Sequence, residues 1–70
     1  MNGEKKETVA KFITYTDFTG KTVELMVINM KEKNSIAFNY TREGQQTCEV
    51  MPAGVAEQAA KMVMQFRENK

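Results

Sequence analysis

The sequence predicts an α+β domain of two layers, in which a four-stranded antiparallel meander sheet is packed by one C-terminal helix (β-β-β-β-α). Three observations support this fold class. Four runs of alternating apolar and polar residues have the period of strands, and the turns between them are too short for parallel crossovers. After Pro52 the apolar residues recur with the period of a helix.

The four strand-like runs are rich in β-branched and aromatic residues, which favour pleated structure. They are TVAKFITYT (8–16), KTVELMVINM (21–30), SIAFNYT (35–41) and QTCEVM (46–51). Turn residues separate them at Asp17 to Gly20, at Lys31 to Asn34 and at Glu43-Gly44. Alternation within the runs predicts a core face, which would carry Val23, Leu25, Val27, Ile36, Phe38, Tyr40, Cys48 and Val50.

The chain is expected to form a single domain over residues 8–70, preceded by a flexible, polar N-terminal tail over residues 1–7. Pro52 ends the last strand and suits the first position of a helix. An apolar stripe on this helix is expected to face the sheet. It consists of Val55, Ala59, Met62, Val63 and Phe66.

Gly20-Lys21-Thr22 matches the end of a phosphate-binding loop. Such a loop needs a further Gly at the position that Tyr15 occupies, and it must lead from a strand into a helix. The residues after Thr22 alternate as a strand. The segment is therefore interpreted as a hairpin turn, in which Gly20 supplies a positive φ.

The composition argues against catalysis and against bound cofactors. The chain has no His and a single Cys, so neither a nucleophile–histidine pair nor a zinc-type ligand set can form, and we expect no enzyme activity, cofactor or metal. Cys48 is predicted to be a buried structural thiol. The net charge of +1, the lone thiol and the absence of a signal-like or membrane-spanning segment suggest a cytoplasmic protein.

A candidate interface lies on the outer side of the predicted sheet. Met26, Ile28 and Met30 would form an apolar column there, joined by Met51 from the last strand, and Met64 would project from the helix flank. The hypothesis is a homodimer, or contact with another protein, through these five residues. The alternatives are a different strand register or an N-terminal tail that covers the column.

A second candidate is a nucleic-acid-binding surface. Lys11 is expected near the turn that carries Lys31 and Lys33, and single strands are held by basic residues with aromatic stacking partners. The full candidate set is Lys11, Phe12, Tyr15, Lys21, Lys31, Lys33 and Arg42. The ordinary alternative is that these lysines are the solvated residues of surface turns.

In two sequence segments, DFTGKTVEL and CEVMPAGVAEQAAKMV, and in the order of its predicted strands and helix, the chain resembles the single-stranded-DNA-binding transcriptional coactivators of the positive-cofactor-four type. The resemblance covers about half of the chain. It implies a dimer with a ββββα fold that grips single strands through its sheet. Asp17, Phe18, Gly20 and Lys21 match the family's hairpin, and only Lys21 carries over as a DNA-binding residue.

The sequence therefore predicts a small, non-catalytic interaction module that acts as a homodimer. The alternative is a single-stranded nucleic-acid-binding module.

Overall fold

A computed structural model describes residues 9–69 as one antiparallel sheet followed by one helix. The strands are β1 (Ala10–Thr16), β2 (Thr22–Met30), β3 (Ser35–Arg42) and β4 (Gln45–Pro52), and the helix α1 spans Ala53–Glu68. The sheet order is β1-β2-β3-β4, and every neighbouring pair is antiparallel. The predicted α+β meander is confirmed. The predicted tail at residues 1–7 lies outside the described residues.

The three turns form where the sequence places them. In the β1–β2 turn the Asp17 amide donates to Lys21 O at 2.9 Å, the Gly20 amide donates to Asp17 O at 3.0 Å, and Gly20 has a φ of +88°. The β3–β4 loop has two residues, Glu43 and Gly44, both with positive φ, as a type I′ hairpin requires. The β2–β3 connection is a single 3₁₀ turn, Lys31–Lys33, which the sequence did not predict.

Register divides the strand residues between two faces, because directly opposed residues point to the same side of a sheet. The face that we name the Val23 face has these apolar members: Ile13, Tyr15, Val23, Leu25, Val27, Ile36, Phe38, Tyr40 and Met51. The opposite face, named the Met26 face, has these: Ala10, Phe12, Met26, Ile28, Met30, Ala37, Cys48, Val50 and Pro52.

Three residues of β4 lie on the face opposite to the predicted one. The two-residue loop pairs Arg42 with Gln45, so Cys48 is opposite Asn39 and Val50 is opposite Ala37. Both therefore belong to the Met26 face, and Cys48 is exposed rather than a buried thiol. Met51 pairs with Ile36 and so belongs to the Val23 face, away from Met26.

The helix begins at Ala53, one residue later than Pro52, which is instead the N-cap and supplies no side-chain cap. The Ala53 amide donates to Asn34 O at 2.9 Å, which ties the start of α1 to the β2–β3 turn. After Ala53 the helix does not bury its apolar stripe, so the prediction that this stripe packs on the chain's own sheet is wrong. No residue of α1 is buried, and the residues of its first turns that are partly covered are the small Ala53 and Ala56.

The core of the described segment is consequently very small. Within residues 9–69 the buried hydrophobic side chains are Val23 and Ala37, with relative exposures of 0% and 4%. Single four-stranded sheets normally cover at least one face with another layer. Here both faces and the helix stripe keep apolar surface in contact with water.

The assignment of the β3–β4 loop as a type I′ turn can be tested by substitution of Glu43. Glu43 has a φ of +51°, which costs free energy for most residues but little for Asn. We expect Glu43→Asn to raise the free energy of unfolding by roughly 1 kcal/mol, measured by urea denaturation at fixed protein concentration.

Glu43→Gln is the matched control, since it removes the charge and keeps the unfavourable φ. It should change stability little, because exposed ion pairs contribute about 0–1 kcal/mol. A lower unfolding midpoint for Glu43→Asn than for Glu43→Gln would contradict the turn assignment.

Candidate interaction surfaces

The most prominent feature of the surface is the number of large apolar side chains exposed to solvent. Eleven are exposed in the described segment, and exposed apolar residues that cluster into patches commonly mark interaction sites. They are Val9, Phe12, Ile13, Tyr15, Phe18, Val50, Val55, Met62, Val63, Met64 and Phe66.

The first apolar surface is the stripe along α1. Val55, Met62 and Val63 are each a little over half exposed, and Phe66 is 77% exposed. The main contacts of α1 are with β3 and β4, and partial burial falls on Ala53 and Ala56. The stripe is thus displayed on a side of the helix that its own sheet does not cover.

The second apolar surface is the Met26 face. The predicted sharing of one face by Met26, Ile28 and Met30 is confirmed by the register, and each of these side chains is partly exposed. Phe12 lies opposite Met26, and Val50 lies on the same face in β4; both are at least half exposed. The expected contribution of Met51 is excluded by its position on the Val23 face.

The two faces differ in charge. Among the strand residues of the Met26 face, Glu24 is the charged one. The Val23 face carries Lys11, Arg42 and Glu49. Because charged residues are depleted from the centres of protein interfaces, the Met26 face has the composition better suited to a protein contact.

An open groove of about 420 Å³ extends the Met26 face at the end of the sheet near the 3₁₀ turn. It is lined by Val9, Ile28 and Met30 together with Asn29 and residues 31–33, and most of the lining surface is apolar. It could accept an apolar side chain from a partner.

At the opposite end of the sheet, polar contacts fasten the two hairpins together. Asp17 Oδ1 accepts hydrogen bonds from the Thr19 amide (2.9 Å), the Thr19 hydroxyl (2.6 Å) and the Lys21 amide (3.1 Å). Asp17 Oδ2 lies 3.0 Å from Arg42 Nε, so Arg42 of β3 reaches past β2 to the β1–β2 turn. Lys21 and Glu43 form a second ion pair between the hairpins. We call these contacts the Asp17 clasp.

The clasp alters the acidity of Asp17, whose side chain is only 7% exposed. The hydrogen bond from the Thr19 hydroxyl lowers the pKa of Asp17 from its ordinary value of 3.8. The Lys21 and Thr19 amides and the Arg42 charge act in the same direction, and partial burial opposes them. The clasp therefore favours the ionised carboxylate.

The clasp also accounts for Gly20-Lys21-Thr22. Gly20 has a positive φ within the hairpin turn, and Thr22 begins β2. The interpretation as a turn rather than a phosphate loop is confirmed.

The basic residues of the candidate nucleic-acid set are divided between the two ends of the sheet. Lys21 and Arg42 lie at the clasp end, and each is paired with a carboxylate. Lys11 lies toward the other end, as predicted, with the turn that carries Lys31 and Lys33.

The two aromatic residues of that candidate set are also separated. Phe12 lies on the Met26 face and Tyr15 lies on the Val23 face. Of the candidate residues in the strands, Lys11, Tyr15 and Arg42 therefore share the Val23 face, and Phe12 lies on the opposite one.

Sequence reasoning gave no functional role to Phe18, which is 98% exposed at the tip of the β1–β2 hairpin. The hydrogen bonds of Asp17 to residues 19 and 21 hold the turn beneath it. An apolar residue at the centre of a tight polar turn is the signal that could have identified it.

Residues 9–69 have two further properties. No three side chains of the metal-ligating types His, Cys, Asp and Glu come together there as a possible ion site. None of the helices in this segment combines the length and the hydrophobicity that crossing a membrane requires.

No protein-family model, curated protein or solved structure matches this chain.

The Asp17 clasp predicts a pH dependence of stability. Because the folded state depresses the pKa of Asp17, the ionised carboxylate stabilises the fold above pH 3.8, and this contribution is lost as the pH falls through the lower folded-state pKa. Wild-type protein should therefore lose more stability than Asp17→Asn when the pH is lowered below 3.8, measured by urea denaturation.

Glu57→Gln on the exposed polar side of α1 is the control for removing a carboxylate elsewhere. It should retain the acid sensitivity of the wild type. Parallel losses of stability in wild type and Asp17→Asn would show that the clasp contributes nothing.

Proposed function

We propose that the protein is a non-catalytic interaction module that acts through self-association as a homodimer. The observation that carries the proposal is the imbalance of burial. Two hydrophobic residues are buried in the described segment, and eleven large apolar side chains are exposed.

The imbalance has an energetic consequence. Full burial of a Val, Leu, Ile, Phe or Met side chain stabilises a fold by about 1.5–3 kcal/mol. A chain of 70 residues is near the lower limit for an independent core, and small domains are commonly stabilised by disulfides, metals or a partner subunit. With one Cys in the sequence, no intramolecular disulfide can form. A second copy supplies the missing layer.

The Met26 face is the sheet surface that we assign to the contact. Its apolar members span β1, β2 and β4, and the polar residues between them are mostly uncharged. Met side chains adapt their shape to a facing surface, which suits a contact between identical faces. Isologous contacts of this kind are the commonest in homodimers.

Single-stranded nucleic-acid binding is the competing proposal, and the placement of Lys11, Lys31 and Lys33 toward one end of the sheet favours it. It predicts saturable binding of labelled single-stranded oligonucleotides in fluorescence anisotropy, weakening steeply with salt because phosphate contacts release counterions. A flat titration at low salt would eliminate it and leave protein association.

Sedimentation equilibrium tests the homodimer. We expect a mass of twice 8.0 kDa for the wild type. Phe12→Asp, which places a charge on the Met26 face, should shift the equilibrium strongly towards monomer, because an uncompensated charge at the centre of an interface is costly to desolvate.

Ile13→Asp is a closely matched control. Ile13 follows Phe12 in β1, is 59% exposed against 60% for Phe12, and points to the Val23 face. It should remain dimeric. A wild-type mass of 8.0 kDa at all concentrations would refute self-association, and equal effects of the two variants would refute the assignment of the face.

A further inference from the structure

The outer edge of β1 is an unpaired strand edge. β1 is the first strand in the order of the sheet, and within the described residues it has one neighbour, β2. It is seven residues long, its register with β2 runs without a bulge, and it contains no proline. Its one charged residue is Lys11. Proteins usually protect such an edge with proline, a bulge or several charges, because unpaired edges accept another chain.

The hydrogen bonds at the two ends of β1 show which of its backbone groups point outward. The Asn29 amide donates to Val9 O at 2.7 Å, and the Asp17 amide donates to Lys21 O at 2.9 Å. In an antiparallel pair, residues that exchange hydrogen bonds alternate with residues that do not. The odd-numbered residues of β1 are therefore bonded to β2. The N–H and C=O groups that point outward belong to Ala10, Phe12, Thr14 and Thr16.

This array of donors and acceptors has the spacing of an extended chain. The outward groups recur at every second residue, which is about 6.8 Å at 3.4 Å per residue. An extended polypeptide presents the same groups at the same interval, and binding of this kind adds a strand to the sheet. The array thus identifies the occupant as an extended segment rather than a helix.

The side chains of β1 favour the same occupant. Phe12 and Ile13 are 60% and 59% exposed, and they point to opposite faces of the sheet. A layer packed on one face would cover only one of them. A strand beside β1 would contact both, because residues opposite each other on neighbouring strands have their Cβ atoms about 4.5–5.5 Å apart.

Lys11 defines the charge of the occupant. Its side chain is exposed on the Val23 face, beside a hollow of about 300 Å³ whose lining includes Val27 and Ile36. A carboxylate on the same face of an added strand would lie opposite the ammonium group, and cross-strand pairs of opposite charge are stabilising. A second β1 supplies no such group, since AKFITYT contains no acidic residue.

We propose that the outer edge of β1 binds an extended segment of a partner protein by antiparallel strand addition, with an acidic side chain of that segment beside Lys11. The edge is separate from the Met26 face, so a second copy on that face does not occupy it. The inference goes beyond the proposed homodimer and does not depend on it.

Amide hydrogen exchange measured by NMR tests whether the edge is open. In the protein alone, the amides of Phe12 and Thr14 should exchange faster than those of Ile13 and Tyr15, which are bonded to β2. Protection of the outward amides would overturn the proposal, because the edge would already be covered. Protection that rises with protein concentration would assign the cover to a second copy, and constant protection would assign it to residues 1–8.

The probe for binding is a blocked peptide of the same length as β1, in which Thr alternates with Val, Val and Glu. Added antiparallel in full register, it places its Glu opposite Lys11. At millimolar concentration it should bind saturably and slow the exchange of the outward amides at least tenfold. The same peptide N-methylated at its Thr residues cannot donate the backbone hydrogen bonds and should not bind. A peptide with Lys in place of Glu should bind more weakly.

Thr14 allows a matched pair of variants. Thr14→Pro removes an outward N–H and leaves the bonds to β2 intact, and proline is tolerated on an edge strand in this position. It should weaken binding of the probe about tenfold, through the loss of a backbone hydrogen bond. Thr14→Val keeps the N–H, and its affinity should stay within about twofold of the wild type. Far-UV circular dichroism checks that both variants keep their fold.

The outcomes separate this inference from the proposed homodimer. No binding of the probe, or equal binding by the two Thr14 variants, would overturn strand addition and leave the homodimer standing. If Thr14→Pro fails to fold, the N-methylated peptide decides, and its equal binding to the wild type would overturn the proposal. Equal binding of the Glu and Lys peptides would remove the acidic preference. A monomeric wild type that binds the probe would refute the homodimer and support this inference.

Discussion

One constraint governs this structure: a single four-stranded sheet and one helix expose more apolar surface than they can cover for each other. The helix leaves β4 directly at Pro52, and its first residue is hydrogen-bonded to Asn34 in the β2–β3 turn. Fixed at this point, α1 presents small alanines to β3 and β4 and its large apolar residues to solvent. We propose that a second copy of the chain supplies the missing hydrophobic layer, and in that case folding is coupled to association.

The strands, turns and helix could be predicted because local sequence determines them. Glu43-Gly44 requires a tight hairpin, Gly20 permits a positive φ, and the change of period after Pro52 marks the helix. The faces of Cys48 and Val50 were also predictable in principle. Once Glu43-Gly44 is recognised as a two-residue loop, Arg42 must pair with Gln45, and every later pair in β4 follows.

The packing of α1 could not be predicted in the same way. An amphipathic stripe has the same pattern whether it covers its own sheet or a partner, so the exposed positions of Met62 and Phe66 appear only in the structure. The Arg42 contact with Asp17 also depends on tertiary structure, since β2 separates the two residues.

The two ends of the sheet consequently differ. At one end the Asp17 clasp joins the hairpins, and Val23 is fully buried beside Arg42 in the register. At the other end an open apolar groove borders the 3₁₀ turn and Val9. In the proposed homodimer, the clasp would restrict the relative motion of β1, β2 and β3 and so present the Met26 face as a preformed surface. Preformed surfaces associate with a smaller entropic cost than flexible ones.

The most direct test of the account is the dependence of the unfolding midpoint on protein concentration. If the hydrophobic core is completed by a second copy, unfolding is coupled to dissociation, and the urea midpoint must rise as the protein concentration is raised over two or more orders of magnitude. A cooperative transition whose midpoint is independent of concentration would show that a single chain is stable by itself, which contradicts the account.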